Sequence, residues 1–228
     1  MSREVSIRYL RLAARYLSLV AIDLCDVIRI LRELGYQIRD RLPPPGFKGR
    51  LGGSGPIAVK GGVVVDVDTA RHILGVSAPE PGLLISEFNI LEEALSGRLR
   101  GYTKPYFYEI LAEFEVTVEG VDFYSLMSRA GEPVPIAVIS EALGEDACLL
   151  GFKVGKRGAR PEGTEWMEVE VVPSPLKPDD VLYISIIYRS ESRDKVLSLL
   201  RDLPSSVLTI AESLTREGNG DQEAPTYP

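Results

Sequence analysis

The chain is 228 residues long, 45% of its residues are hydrophobic and 26% are charged, and its net charge at pH 7 is −7. These values are typical of a globular chain that folds as one large domain or two small ones, and they exclude a fibrous or wholly disordered protein. One histidine and two cysteines are too few, and too far apart in the sequence, to form a zinc site.

The composition favours a cytoplasmic protein from a thermophile. No apolar run approaches the roughly 20 residues of a membrane span, and Arg8, Arg11 and Arg15 interrupt the first apolar stretch, so we expect neither a span nor a signal peptide. Cys25 and Cys148 lie in apolar runs, which predicts buried free thiols in a reducing compartment. Asn, Gln, Cys and Met together number nine, and there are 19 arginines against seven lysines, as in proteins that work at high temperature.

Residues 4–39 are predicted to form one long amphipathic helix. Apolar residues repeat there at alternating spacings of three and four, which is the pattern of a coiled-coil seam, and arginines occupy the opposite side. A seam of this length predicts a homo-oligomer assembled through residues 4–39; the alternative is a core helix of the same domain. The predicted interaction residues are Leu10, Leu17, Leu24, Leu31 and Leu34.

Residues 43–62 are predicted to be a loop or linker, because three consecutive prolines and seven glycines fall in this segment. A hairpin is predicted at its end. Residues 57–60 and 63–67 are short apolar runs separated by Gly61-Gly62, a pair that tight primed turns favour.

The second half of the chain is predicted to be richer in strands. Apolar residues alternate with polar ones over residues 110–118, which predicts a half-buried strand. Residues 181–188 are apolar on both faces and are predicted to be a central strand. No internal repeat is apparent. The other predicted strands are 147–155 and 165–172, and the predicted helices are 68–74, 86–96, 121–130, 135–143, 190–203 and 205–216.

Together these elements predict an α+β fold, with a long N-terminal amphipathic helix and a mostly antiparallel sheet with helices packed on one side. The order of elements in the C-terminal half is compatible with a ferredoxin-like layer. The predicted organisation is a helical segment at 1–42, a Gly/Pro-rich loop at 43–62, an α+β domain at 63–217 and a disordered tail at 218–228.

Asp66 and Asp68 are the candidate catalytic residues. They end an apolar run at positions i and i+2, so both carboxylates are expected on one face near the end of a strand. The spacing is similar to that of the Asp pair in phosphotransferases of the haloacid dehalogenase type, which implies a nucleophile and an acid/base acting with Mg²⁺. A structural role, with Asp68 as a cap, competes with the catalytic one.

The basic loop that contains Lys156, Arg157 and Arg160 is the candidate anion-binding site. Basic hairpin tips contact nucleic-acid phosphates, and a solvated turn is the alternative. No metal-ligand set is predicted, and Mg²⁺ is expected only if the Asp pair is catalytic.

Charge is divided unevenly along the chain. Residues 1–60 carry 11 basic and 5 acidic side chains, and residues 61–228 carry 15 basic and 28 acidic ones. The basic segment is predicted to dock on outward-pointing glutamates of the same chain or of another. We therefore predict a non-enzymatic interaction or assembly module. A Mg²⁺-dependent phosphate-handling hydrolase and a nucleic-acid-binding protein are the alternatives. The outward glutamates are Glu113, Glu115, Glu119, Glu168 and Glu170.

Overall fold

The computed structural model describes residues 4–17, 24–39, 54–99, 102–118, 136–144 and 148–216. The strands are β1 (Val5–Arg15), β2 (Gln37–Ile38), β3 (Ser54–Lys60), β4 (Val63–Asp68), β5 (Ile73–Ser77), β6 (Phe107–Thr117), β7 (Phe152–Gly155), β8 (Trp166–Ser174) and β9 (Lys177–Ser190). The helices are α1 (Leu24–Glu33), α2 (Pro81–Arg98), α3 (Ile136–Leu143) and α4 (Arg193–Arg216). In the described part of the chain, nine strands form one antiparallel sheet in the order β2-β3-β4-β5-β1-β6-β9-β8-β7.

The predicted N-terminal helix is not present, so the predicted fold class is wrong. Its first part forms β1, which lies in the middle of the sheet between β5 and β6, and α1 accounts for only ten residues of the segment. A β-bulge at Arg8 explains the error. It interrupts the strand alternation, so that Ile7 and Leu10, three positions apart, both pack against the core. A spacing of three is also that of one helix face.

The core lies between one face of the sheet and helices α1, α2 and α4. At its centre Leu12 of β1 and Ile110 of β6 stand opposite each other in the ladder, and both are fully buried. Helix α2 packs Leu84 and Phe88 on this face, and the ring of Phe88 meets that of Tyr108 edge-on at 6.1 Å. Burying one such side chain stabilises the fold by about 1.5–3 kcal/mol.

The two halves of the chain share one architecture. Counting only the described elements, and apart from the two-residue β2, each half runs strand, helix, three strands, helix. The strands of the halves lie outward from the centre in the same order: β1, β5, β4, β3 and β6, β9, β8, β7. This order is not the βαββαβ order of the ferredoxin-like layer predicted for the C-terminal half. The last helices also bury residues at matching spacings: Leu84, Phe88, Leu91, Leu95 and Leu99 in the first half, and Val196, Leu200, Leu203, Val207 and Ala211 in the second.

The predicted hairpin is confirmed. Strands β3 and β4 pair with Lys60 opposite Val63, and the two turn glycines, Gly61 and Gly62, have φ angles of 52° and 84°. Positive φ at both turn positions is the requirement that glycine meets without strain. The strand predicted at 165–172 overlaps β8, the one predicted at 181–188 lies within β9, and α3 matches the predicted helix at 135–143 to within one residue.

Two local predictions near breaker residues are wrong. Residues 69–72 form a turn instead of a helix, and His72 lies in that turn with a φ of 57°. Pro204 lies inside α4 instead of ending it. Leu203 and Val207 beside it are buried, and this burial outweighs the preference of proline for a helix end.

Both cysteines are exposed, which corrects the prediction of buried thiols. The helix predicted at 121–130, residues 43–53 of the predicted loop and the tail at 218–228 lie outside the described residues. No helix in the described ranges combines the length and apolar character that crossing a bilayer requires.

A buried cluster of polar groups ties α2 to β3. Glu87, which is 8% exposed, accepts hydrogen bonds from the Tyr36 hydroxyl at 2.8 Å and the Lys60 ammonium at 2.9 Å. Burial acts to raise the pKa of Glu87, but the hydrogen bonds from Lys60 and Tyr36 outweigh it and hold that pKa below its ordinary value. Burial also raises the pKa of Tyr36, so its hydroxyl stays a donor.

Alanine substitutions of Leu10 and Leu17 should differ strongly, although a helical seam would make them equivalent. Leu10 is 1% exposed and Leu17 is 74% exposed. Leu10→Ala should lower the free energy of unfolding by about 2–5 kcal/mol because it leaves a cavity, and Leu17→Ala should change it by less than about 0.5 kcal/mol. Urea unfolding followed by circular dichroism measures both. Equal losses would contradict the placement of β1.

Stability should fall at acid pH in a way that depends on Glu87. A carboxyl group whose pKa is depressed by folding stabilises the protein above its unfolded pKa of about 4.3, and this contribution is lost as pH falls through the folded pKa. The stability difference between wild type and Glu87→Gln should therefore be large at neutral pH and shrink below about pH 4. Glu93→Gln, at an exposed site of the same helix, should follow wild type in urea unfolding at each pH.

Candidate functional site

The face of the sheet turned away from α1, α2 and α4 is called the open face. Its side chains alternate along each strand with those of the core, and residues opposite each other in the ladders share it. The open face consists of Arg8, Tyr9, Arg11, Ala13 and Arg15 of β1; Val64, Asp66 and Asp68 of β4; Gly75 and Ser77 of β5; Phe107, Glu109, Leu111, Glu113 and Glu115 of β6; Lys153 of β7; Trp166, Glu168, Glu170 and Val172 of β8; and Tyr183, Ser185, Ile187 and Arg189 of β9.

Arg11 and Asp66 form an ion pair that crosses β5. The Arg11 guanidinium donates to both carboxylate oxygens of Asp66, at 2.9 and 2.6 Å, and the two side chains are only 11% and 19% exposed. Between them lies Gly75, where an added Cβ would overlap the guanidinium. The hydrogen bonds and charge of Asp66 outweigh burial and raise the pKa of Arg11 above its ordinary value. A glycine in β5 is therefore what allows this pair to form.

A second half-buried ion pair lies in the other half of the sheet. Arg189 donates to Glu109 directly opposite it, at 2.8 and 2.5 Å, and its remaining nitrogen donates to the backbone oxygens of Pro161 and Gly163. Its guanidinium also lies 4.5 Å from the ring centroid of Phe107. Arg189 thus fixes the segment before β8 to the open face.

Arg15 differs from the other arginines of the open face. It is exposed, and its guanidinium lies 5.5 Å from the centroid of the Phe107 ring. The described residues offer it no carboxylate within ion-pair distance. A guanidinium over an aromatic ring keeps its charge available to a further ligand.

Glutamates are concentrated around Tyr183. Burial first, and then hydrogen bonding to Glu113 and the charges of Glu113, Glu170 and Glu115, raise the pKa of Tyr183 to about 12. Arg8, at the β-bulge, forms an ion pair with Glu115, and the Arg8 side chain is 55% exposed. Lys153 pairs with Glu168 at 2.9 Å and Glu170 at 3.5 Å, which offsets part of the negative charge.

The two candidate catalytic carboxylates have separate roles in the fold. Asp66 is held by Arg11, whereas Asp68 accepts a hydrogen bond from the backbone N–H of Arg71 at 2.9 Å and so closes the turn before β5. They share the open face, as the sequence spacing predicts. Among the described residues, no set of three or more His, Cys, Asp or Glu side chains is arranged to hold a metal ion.

The basic loop is partly neutralised by its own hairpin. Lys156 pairs with Glu165 at 3.1 Å, and Glu165 in turn accepts from the Ser190 hydroxyl at 2.6 Å. Arg157 and Arg160 are exposed at the tip. The structure therefore separates the three candidate anion-binding residues into one paired lysine and two exposed arginines.

The predicted interaction leucines do not form a single surface. Leu10 and Leu31 are in the core, at 1% and 0% exposure, and Leu17 is 74% exposed. Leu24 and Leu34 are half-buried against the core cluster. Tyr9, Trp166, Tyr183 and Arg189 were not predicted from the sequence as residues of a functional surface. For Tyr9, the signal that could have shown it is the strand alternation of residues 9, 11, 13 and 15 in β1.

No protein-family model matches the chain, and no curated protein matches it.

Gly75→Ala should break the ion pair between Arg11 and Asp66, because the added methyl group displaces the guanidinium. Losing hydrogen bonds to a charged group should cost about 1.5–3 kcal/mol of unfolding free energy. Asp66→Asn should cost a similar amount, and the double variant should cost little more than either single variant, since both remove one interaction. The measurement is urea unfolding of the three variants.

Gly97→Ala is the matched control for that substitution. An added Cβ at this position of α2 meets nothing within 4 Å, so it should stabilise the protein by about 0.5–1 kcal/mol through helix propensity. Additive costs of Gly75→Ala and Asp66→Asn would show that the glycine acts independently of the pair.

Proposed function

We propose that this chain is a non-enzymatic interaction module whose open face binds a protein partner. The observation that carries the proposal is the composition of this face. Four arginines, two tyrosines and the only tryptophan of the chain lie on it, against a single lysine; Phe107 is buried beneath two of these arginines. Aromatic residues and arginine are the residues enriched in protein interfaces, and lysine is depleted there.

The pairing of charges on the open face supports this function. Arg11 with Asp66 and Arg189 with Glu109 are ion pairs of low exposure that are already formed in the free chain. When a partner covers these ion pairs, the cost of desolvating charges is small because each charge already has a partner. The cost of ordering the side chains is also small because their positions are already fixed. Leu111 and Ile187, opposite each other at the middle of the second half, add an apolar centre.

The same contacts weigh against the alternatives. A phosphate-handling hydrolase needs two free carboxylates that converge on one ligand, and Asp66 and Asp68 are each engaged with a different group. A nucleic-acid-binding face should be basic, whereas seven carboxylates stand against five cations on the described open face. The carboxylates are Asp66, Asp68, Glu109, Glu113, Glu115, Glu168 and Glu170, and the cations are Arg8, Arg11, Arg15, Lys153 and Arg189.

Ile187→Glu tests the binding face, and Ile90→Glu is its matched control. Ile187 lies half-buried at the middle of the second half of the open face, whereas Ile90 is 40% exposed on α2. The immobilised full chain should retain a partner protein from an extract of its source, and Ile187→Glu should weaken retention at least about tenfold, which corresponds to 1.4 kcal/mol. Ile90→Glu should bind as wild type does. Thermal unfolding of each variant checks that it is folded.

Two results would overturn the proposed function. One is equal retention by the Ile187→Glu and Ile90→Glu variants, which would place binding elsewhere. The other is Mg²⁺-dependent hydrolysis of a phosphate monoester by the purified chain that Asp66→Asn abolishes while the variant stays folded, which would make the Asp pair catalytic.

A further inference from the structure

We infer that the partner bound by the open face is a second copy of this chain, so that the protein forms a face-to-face homodimer. The inference rests on the proposed function, which makes the open face the binding surface. It is carried by the way charge is distributed between the two halves of that face.

The two halves of the open face have opposite net charges. The strands of the first half carry Arg8, Arg11 and Arg15 against Asp66 and Asp68, a balance of +1. The strands of the second half carry two cations against five carboxylates, a balance of −3, and these are Lys153, Arg189, Glu109, Glu113, Glu115, Glu168 and Glu170. A surface with one positive and one negative half can complement a copy of itself.

Only one of the two simple ways of stacking the faces uses that complementarity. A twofold axis parallel to β1 and β6, lying between the two sheets, places the first half of one copy over the second half of the other. An axis running across the strands would place like halves together. Stacked sheets pack with their strands within about 30° of each other, and both arrangements meet this condition, so it is the charge distribution that selects the first one. An interface of this kind is isologous and closes as a dimer.

The ladder register identifies the charges that meet. Tyr9 stands opposite Glu113, and Ser6 opposite Glu115, on either side of the bulge at Arg8. With the axis along the strands, β1 of one copy lies over β6 of the other at the same level. Arg8 of each copy therefore comes over the stretch between Glu113 and Glu115 of the other copy, within reach of Glu113, and the symmetry produces this contact twice.

Arg8 is able to serve such a contact at low cost. Its pair with Glu115 in the same chain is surface-exposed, at 55% for Arg8, and exposed ion pairs contribute little to stability. Glu113 forms no ion pair with a cation in the described part of the chain. The bulge is what turns Arg8 out of the strand alternation toward this position.

Charge reversal distinguishes a contact between copies from one within a chain. In an Arg8→Glu dimer both contacts become Glu against Glu, and in a Glu113→Arg dimer both become Arg against Arg. Mixing the two variants forms a heterodimer in which both contacts are again between opposite charges. Restoration on mixing is therefore expected only if the two residues meet across the interface.

The measurement is sedimentation velocity of the full chain over a dilution series, with the fluorescence of Trp166 as a second signal because this single tryptophan lies on the open face. Wild type should be a dimer whose tryptophan emission shifts to longer wavelength on dilution. Each single variant should dissociate at least about tenfold more readily, and their equimolar mixture should regain wild-type affinity within about threefold. Arg201→Glu and Glu93→Arg, at exposed positions of α4 and α2, are the matched controls and should remain dimeric.

A monomer at every concentration would overturn the inference, as would a dimer that both charge reversals leave intact or a mixture that fails to regain affinity. If the chain is a monomer while Ile187→Glu still abolishes capture of a different protein, the inference fails and the proposed function stands. A dimer that neither Ile187→Glu nor Arg8→Glu weakens would lie on another face, and the inference would fail. If the capture of other proteins is equally insensitive to Ile187→Glu, the proposed function fails as well.

Discussion

The contact on which the rest of the structure depends is the ladder between β1 and β6. It joins the halves of the sheet into one surface, and at its centre Leu12 and Ile110 are opposite each other and inaccessible to water. Neither half has another strand pairing to the other half within the described residues. The helices α2 and α4 pack on this line, so their buried residues depend on the same ladder.

The duplicated architecture places one member of each ion pair of the open face at the same structural position. Arg11 stands opposite Ser77, and Glu109 stands opposite Arg189. Ser77 and Arg189 are equivalent, because each precedes the first buried residue of its helix by the same number of positions. One structural position is thus occupied by an arginine in the first half and a glutamate in the second. That exchange of sign is a local example of the opposite charges of the two halves.

Secondary-structure elements were predicted correctly where the apolar residues of a segment followed one clear repeat. The hairpin at Gly61-Gly62 and the half-buried β6 followed from turn chemistry and alternation. The prediction failed in β1, where a bulge and a dense apolar run matched the spacing of a helix. It also failed at Pro204, where burial of the neighbouring residues outweighed the preference of proline for a helix end. The pair of Asp66 with Arg11 could not be predicted, because 55 residues and an unrecognised strand separate the two. With β1 taken for a helix, the open face was not visible in the sequence.

The position of β1 also has a consequence for how the chain reaches its native state. Of the described strands, β1 comes earliest in the chain and is central in the sheet, and its partner β6 begins about a hundred residues later. Until then β1 can pair only with β5 and leaves one side without hydrogen bonds, which invites pairing with other chains. Contacts of such long sequence separation close slowly. During synthesis, the first half of the protein is therefore an aggregation-prone intermediate that the emergence of β6 completes.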